Sequence, residues 1–328
     1  MLYDNHNRII NYLRLAVTDR CNLRCYYCMP EEGINYVPRQ DLMTYEEMIR
    51  TVSAFAKQGI NKIRITGGEP FLRKDLIYFL KQIRQIQGIE KINITSNGTL
   101  LMDKIDDLKR LGITSINLSL DSLDRQRFYA ITRRDDFPKV MQCLQALIDN
   151  NFDIKINMVV LASQNLADIL PMLEMTKDKA IAVRFIEEMP FNGTQGQGNV
   201  EFWSHHKILD NIRSAYPNIS KLQDQPFSTS VNYQIEHFKG TFGLIPAFSR
   251  TFCGSCNRIR LTPQGMIKTC LYDNGVFNIR DLIRSGATDL QLIETLQTAL
   301  RHRAKDGFEA EQRRFNMPVS ESMATIGG

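Results

Sequence analysis

Residues 11–30 read NYLRLAVTDRCNLRCYYCMP. The first eight form a short strand in which Leu13 and Leu15 alternate with Arg14, and the chain then turns into three cysteines, Cys21, Cys25 and Cys28, spaced C-x3-C-x2-C. Three thiolates on one tight loop can hold three irons of a 4Fe–4S cube and leave the fourth iron open to a small molecule. A zinc site asks for four protein ligands, usually as paired C-x2-C units, and this loop offers three. The first strand thus delivers a candidate redox centre to its own carboxyl end, and the fold depends on what repeats after it.

Strand patterns recur near 60–66, 90–97, 114–121, 153–160 and 180–187. Helical patterns lie between them. The clearest, 44–58, has Thr44 as N-cap, Glu47 three residues on as in a capping box, and Gly59 at its end. Others fall near 75–87, opened by Asp75, 102–111, closed by Gly112, 138–150 and 165–178. Six β/α units in succession imply a parallel sheet with right-handed crossovers. The expected fold is α/β, a partial (β/α)6 TIM-type barrel, since six units fall short of the eight that close a full one. We expect this barrel over residues 1–225 and a smaller α+β region over 226–328.

The strands have one unusual face. Ile63 and Ile65 alternate with Lys62, Arg64 and Thr66; Ile92 and Ile94 with Asn93, Thr95 and Asn97; Ile116, Leu118 and Leu120 with Asn117, Ser119 and Asp121; Ile154 and Ile156 with Lys155 and Asn157. The apolar phase must meet the helices, so the polar phase points into the barrel. Barrel interiors are normally filled by branched apolar side chains, and a bare buried Arg or Lys is costly. A lumen lined with cations and hydrogen-bonding groups implies an anionic ligand, and a triphosphate fits.

A second triad stands in FCGSCNRIRLTPQGMIKTC, with Cys253 and Cys256 as C-x2-C and Cys270 following Cys256 as C-x13-C. Thr262-Pro263-Gln264-Gly265 reads as a hairpin turn that would bring Cys270 back beside the pair. Three sulfurs again suggest a second cluster, while spacing alone also allows zinc with a fourth ligand from outside the motif. Cys143, in the helical pattern VMQCLQALI, reads as a small buried hydrophobe. The seven cysteines, with no secretory signal pattern and no apolar run of membrane length, point to a reducing cytoplasm without disulfides or membrane contact. A net charge of +5 over 328 residues is too mild to argue for a nucleic-acid surface, and no GxxxxGK[ST] phosphate loop is present.

Taken together, the first triad, IRITGGEPFLRKDL at 63–76, NITSNGTLL at 93–101, INLSLDS at 116–122, VRFIEEMP at 183–190, FCGSCNRIRL at 252–261 and a terminal Gly-Gly resemble the GTP 3′,8-cyclase family (molybdenum-cofactor biosynthesis protein A) of the radical S-adenosylmethionine (SAM) superfamily. The likeness covers nearly the whole chain. It implies a lyase converting GTP to (8S)-3′,8-cyclo-7,8-dihydroguanosine 5′-triphosphate in molybdopterin synthesis, with two 4Fe–4S clusters and SAM as cofactors. Cys21, Cys25 and Cys28 would hold the SAM cluster, and Cys253, Cys256 and Cys270 the second. Tyr27, Gly68, Ser119 and Met189 match SAM contacts. Arg14, Arg64, Thr95 and Lys155 match GTP contacts, joined by Arg258 and Arg260 and by Arg184 on the sixth strand. Gly327 and Gly328 match a tail that enters the active-site pocket. An electron donor and the next enzyme of molybdopterin synthesis are implied partners, and a homodimer is allowed. Two alternatives are a different radical SAM enzyme with an auxiliary cluster, such as a peptide-modifying maturase, and a zinc- or RNA-binding protein using both triads as fingers.

Overall fold

A computed structural model describes residues 1–30, 32–189, 202–313 and 322–327. The chain alternates through β1 (Tyr12–Ala16), α1 (Tyr45–Ala56), β2 (Lys62–Thr66), α2 (Leu76–Arg84), β3 (Lys91–Ser96), α3 (Ile105–Arg110), β4 (Ser115–Ser119), α4 (Arg125–Thr132), α5 (Phe137–Asp149), β5 (Asp153–Val160), α6 (Ile169–Asp178) and β6 (Ala182–Glu187). Strands β1 to β6 lie side by side in sequence order and pair in parallel. This is the expected partial barrel. Its outer face is the apolar phase read from the sequence: Leu13, Leu15, Ile63, Ile65, Ile94, Ile116, Leu118, Ile156, Val183 and Phe185 are all fully buried against the helices.

Beyond α7 (His205–Ala215), the chain extends this sheet at both edges. Strands β7 (Ile219–Lys221), β8 (Val231–Ile235) and β9 (Thr241–Ile245) add beyond β6, with β9 parallel to it. Strands β10 (Arg258–Leu261), β11 (Met266–Lys268) and β12 (Phe277–Asn278) add beyond β1, with β10 parallel to β1 and β11 returning antiparallel. The β10–β11 pair is the hairpin expected around Pro263-Gln264. Helices α8 (Ile279–Arg284), α9 (Asp289–Arg301), α10 (Gly307–Gln312) and the short α11 (Met323–Ile326) complete the order.

Local chemistry explains most element ends. Helix α1 carries the full capping box: the Glu47 amide donates to Thr44 Oγ1 at 3.2 Å and the Thr44 amide to Glu47 Oε2 at 2.7 Å. The same Glu47 carboxylate pairs with Arg284 at 2.7 Å, fastening α8 to the barrel. Asp75 precedes α2 but sits in a left-handed conformation and makes no side-chain cap. Helix α4 does not stand out in the sequence, because Arg125–Thr132 offers few apolar residues in helical phase; Asp124 caps it by accepting from the Arg127 amide at 2.8 Å. That short helix matters, since its carboxyl end supports the first cysteine loop.

Candidate active site: two cysteine loops around a basic cavity

The first triad rides on a loop tied down from three sides. From below, the Val17 amide donates to Thr66 O (2.9 Å) and the Gly68 amide to Thr18 O (2.9 Å). From the side, α4 accepts through Thr132 O from the Arg24 amide (2.9 Å) and through Ile131 O from the Tyr26 amide (3.1 Å). From within, the Tyr27 hydroxyl donates to Asp121 Oδ2 at 2.7 Å, which anchors the residue between the last two cysteines to the end of β4. The GGEP turn packs so closely that a Cβ on Gly68 would lie 2.2 Å from Arg20 O and 2.9 Å from the Cys21 amide nitrogen. Only glycine permits that approach. Glu69 is fully buried and accepts from the Asn97 amide (2.7 Å) and Ser96 Oγ (2.9 Å), joining the turn to the end of β3. Burial pushes its carboxyl up to about 7, against those hydrogen bonds.

The three sulfurs face the cavity with little charge to balance a thiolate. Burial pushes Cys21 up to about 11, Cys28 to about 12 and Cys25 well above the ordinary thiol range. Three desolvated thiols on one loop suit a soft cationic group, which deprotonates the thiols it binds. Among the described residues no three His, Cys, Asp or Glu side chains converge as they would around a single ion. A 4Fe–4S cube takes its three thiolates on three separate irons, and the donor set here fits one.

The second triad lines the opposite end of the same cavity. Cys253 and Cys256 lie on a short turn before β10, and the β10–β11 hairpin returns Cys270 beside them, as expected. Asp273 Oδ2 accepts from the amides of Thr269 (2.7 Å) and Cys270 (2.8 Å), fixing the return. Burial alone would raise the Cys256 thiol, but Arg258 and Arg303 outweigh it and hold it at about 6. Burial raises Cys270 to about 11. This donor set fits a cluster as the first does.

Between the loops lies a cavity of about 570 Å³. Seven basic side chains (Arg14, Lys62, Arg64, Arg184, Arg250, Arg258 and Arg260) and three carboxylates (Asp121, Glu187 and Glu188) line it. Strand register stacks the cations: Arg14 stands directly across from Arg260 on one side and Arg64 on the other, and Tyr12 stands between Arg258 and Lys62. Like charges directly opposed across strands are destabilising. Burial and then the neighbouring Arg260 push Arg14 well below the usual guanidinium range; burial and Arg258 lower Arg260 to about 10, and burial and Arg64 lower Arg184 to about 10. The Nε of Arg184 is buried without a hydrogen-bond partner. Such an array is complementary to a polyanion.

Of the residues expected at the site, Arg14, Tyr27, Arg64, Gly68, Thr95, Ser119, Arg184, Met189, Arg258, Arg260 and all six triad cysteines line this cavity. Lys155 does not; its Nζ is paired with Asp153 at 2.5 Å, two residues earlier on the same strand. Gly327 reaches the arginine row: its carbonyl accepts from Arg260 Nη1 at 2.6 Å, and its left-handed backbone leaves a Cβ position only 2.5 Å from Thr66 Oγ1. Ser322 Oγ donates to Cys28 O at 2.5 Å, so the carboxyl-terminal segment runs from the first cysteine loop to the arginines. Gly328 lies outside the described residues.

Some site residues were not singled out from the sequence. Tyr12 accepts from Arg64 Nε at 2.5 Å; burial would raise its phenol, but Arg64 and Arg14 outweigh that and bring it to about 8. Its place two residues before Arg14, on the same face, was a legible signal. Glu187 is fully buried at the end of β6 and accepts from the His205 amide (2.8 Å) and ring Nδ1 (2.7 Å) and from the Ser249 amide (2.7 Å). It joins β6, α7 and the segment leading to Cys253, contacts that no local pattern announces.

Comparison with known proteins agrees with this geometry. Residues 15–176 match the radical SAM superfamily and residues 181–308 match the family described as Molybdenum Cofactor Synthesis C. Molybdenum cofactor biosynthesis protein 1 of Dictyostelium discoideum is 42% identical over 92% of this chain and 48% of its own length. The chain spans about half the length of that relative and of its counterpart in Bos taurus, where the share is 47%. GTP 3′,8-cyclase of Listeria monocytogenes is 39% identical over 100% of this chain and 99% of its own. Streptococcus suis SuiB bound to S-adenosylmethionine superposes with a TM-score of 0.59 over 89% of this chain and 68% of its own, at 14% identity, a likeness of fold.

The Gly68 contact yields a direct test. In Gly68→Ala the new methyl must displace the Arg20–Cys21 backbone, so anaerobically reconstituted protein should lose the iron and sulfide of the first cluster and keep those of the second. Full iron and sulfide content in this variant would show that the loop tolerates the displacement.

Proposed function

Because the chain belongs to the radical SAM superfamily, and within it to the family that includes the Listeria monocytogenes GTP 3′,8-cyclase, we propose that it converts GTP to (8S)-3′,8-cyclo-7,8-dihydroguanosine 5′-triphosphate, a step of molybdenum cofactor synthesis. The cofactors of this family are SAM and two 4Fe–4S clusters. Cys21, Cys25 and Cys28 would hold the first cluster, which with SAM would supply one-electron reductive chemistry when bound. The protein has to hold its two reactants in register and keep water from the radical. The observation that carries this reading is the meeting, on one cavity, of two three-cysteine loops and an in-register row of arginines.

Each side chain then has a defined task. Cys21, Cys25 and Cys28 hold the first cluster, and Tyr27, Gly68, Ser119 and Met189 border the SAM position. Arg14, Arg64, Arg184 and Arg260 neutralise the triphosphate, with Thr95 donating beside Arg64. Arg258 sits where the substrate meets the second triad. Lys155 adds, in this reading, positive charge beside Arg64 and Arg184. Gly327, with Gly328 beyond it, completes the arginine wall by backbone contact. The relatives favour this activity over a peptide-modifying maturase.

Seven free cysteines, Cys143 buried among them, support a reducing compartment, which we take to be the cytoplasm. Among the described residues no helix is long and apolar enough to cross a membrane. An electron donor, the enzyme that consumes the cyclic product and a second copy of the chain are the partners this chemistry admits; nucleic acid is not among them. We also propose the division at residue 225 as a functional one, with the first triad before it and the second after.

Anaerobic incubation with SAM, dithionite and GTP should give 5′-deoxyadenosine and an isomer of GTP by mass spectrometry. Cys25→Ser should give neither while keeping the second cluster; 5′-deoxyadenosine from that variant would remove the first triad from the mechanism. Arg260→Ala should weaken GTP binding by about 1.5–3 kcal/mol, the scale of a hydrogen bond to a charged group, with both clusters retained. Unchanged GTP affinity by equilibrium dialysis would place the triphosphate elsewhere. Deleting Gly327 and Gly328 should leave both clusters and GTP binding largely intact but cut turnover, with partial recovery on adding a peptide that ends in Gly-Gly. Full-rate cyclisation by the truncated chain would make the tail a passive terminus.

A further inference from the structure

The second cysteine loop is backed by a buried charge network that the proposed mechanism does not use. Arg303, just beyond α9 and 2% exposed, donates from Nη2 to Cys256 Sγ at 3.0 Å and to Arg258 O at 3.0 Å, and from Nη1 to Cys256 O at 3.1 Å. Nη1 also donates to Asp4 Oδ2 at 3.2 Å. The Asp4 side chain is fully buried and takes a second cation, Arg8 Nε, on the same oxygen at 2.7 Å. Arg8 Nη1 in turn donates to Cys253 O at 3.1 Å. Two arginines and one aspartate, drawn from opposite ends of the chain, thus hold the C-x2-C loop by both of its cysteines.

We propose that Arg303, balanced by Asp4, is a positioning residue that raises the reduction potential of the group held by Cys253, Cys256 and Cys270. The inference rests on the reading of this triad as a 4Fe–4S site. Reduction adds negative charge that spreads onto the ligand sulfurs, and a cation with a hydrogen bond to one sulfur stabilises the reduced state more than the oxidised. Because Arg303 is locked by four contacts, its charge cannot swing away when the cluster is oxidised. Asp4 opposes that field, so the two residues should act on the potential in opposite directions. A brace that served only to hold the loop would not have this sign dependence.

The test is an EPR-monitored redox titration of the full-length chain after anaerobic reconstitution. The second cluster's signal is identified as the one missing from Cys270→Ser. Arg303→Gln should shift its midpoint to lower potential, with about a tenfold loss of the reduced fraction at a fixed potential, ~59 mV for one electron. Arg303→Lys, which keeps the charge, should recover most of that shift, and Asp4→Asn should shift the midpoint upward. An unchanged midpoint in Arg303→Gln, or shifts in the same direction for Arg303→Gln and Asp4→Asn, would overturn the proposal. Should Arg303→Gln fail to hold the cluster, Asp4→Asn decides alone: an upward shift supports the role, and an unchanged or lower midpoint overturns it. A wild-type chain lacking any second-cluster signal would overturn the cluster assignment itself and the inference with it.

Discussion

The register between three parallel strands is the constraint on which the site depends. Pairing β10 with β1 and β1 with β2 sets Arg260, Arg14 and Arg64 in one row, facing a cavity rather than bulk water. Two unit charges at a strand spacing of about 5 Å repel by roughly 3 kcal/mol at an effective dielectric near 20. A one-residue slip of β10 would relieve this repulsion but turn Ile259 and Leu261, both fully buried, away from the core. The apolar face therefore enforces the register, and the register concentrates the charge. The fold uses hydrophobic burial to hold an arrangement that electrostatics alone would break.

The same pairing fixes where the two cysteine loops stand. Cys21 follows the carboxyl end of β1, while Cys256 precedes the amino end of β10, which runs parallel to it. The two triads therefore lie at opposite ends of one strand pair, which spans roughly 16 Å for five residues at about 3.3 Å each. The arginine row crosses the cavity between those ends. The carboxyl-terminal segment bridges the same interval, with Ser322 on Cys28 O and Gly327 O on Arg260, and it is held by the buried side chain of Ile326 in a small cluster with Tyr272, Ala304 and Ala310. A backbone carbonyl in contact with Arg260 supplies partial negative charge without a competing side chain.

The barrel was legible because its signal repeats. The first five strands show the same period-2 split between Ile or Leu and a polar residue, and each of the six expected strands falls within two residues of an observed one. The lumen followed from that split, since the polar phase had to face inward once the apolar phase met the helices. Phase alone does not place a side chain, because position along the strand matters as well. Lys155 is on the inward phase but near the start of β5, and it pairs with Asp153 instead of lining the cavity. Helix α4 escaped notice because it is short and buries only Phe128, Ile131 and Thr132, too few to mark a helical period. The Asp4–Arg8–Arg303 network was illegible in principle, because its members are joined by the closure of the chain's two ends rather than by any spacing.

That network also exposes an asymmetry between the two cysteine loops. Around the first, the arginines serve the backbone: Arg24 Nη1 donates to Cys21 O (2.5 Å) and Leu23 O (2.9 Å), and Arg133 leans on Arg24 O and Met29 O at 3.4 Å. There the neutral Asn97 amide lies 3.8 Å from the Cys21 sulfur. Around the second, a guanidinium touches sulfur directly, and Cys256 is held near 6 where burial drives Cys21 and Cys28 to about 11 and 12. Thiolates in an electropositive pocket favour a reduced cluster, whereas thiolates in a dry neutral one resist added electrons. In the proposed reading, the guanidinium fixed on Cys256 sets the second loop apart from the first, whose nearby arginines hold backbone carbonyls.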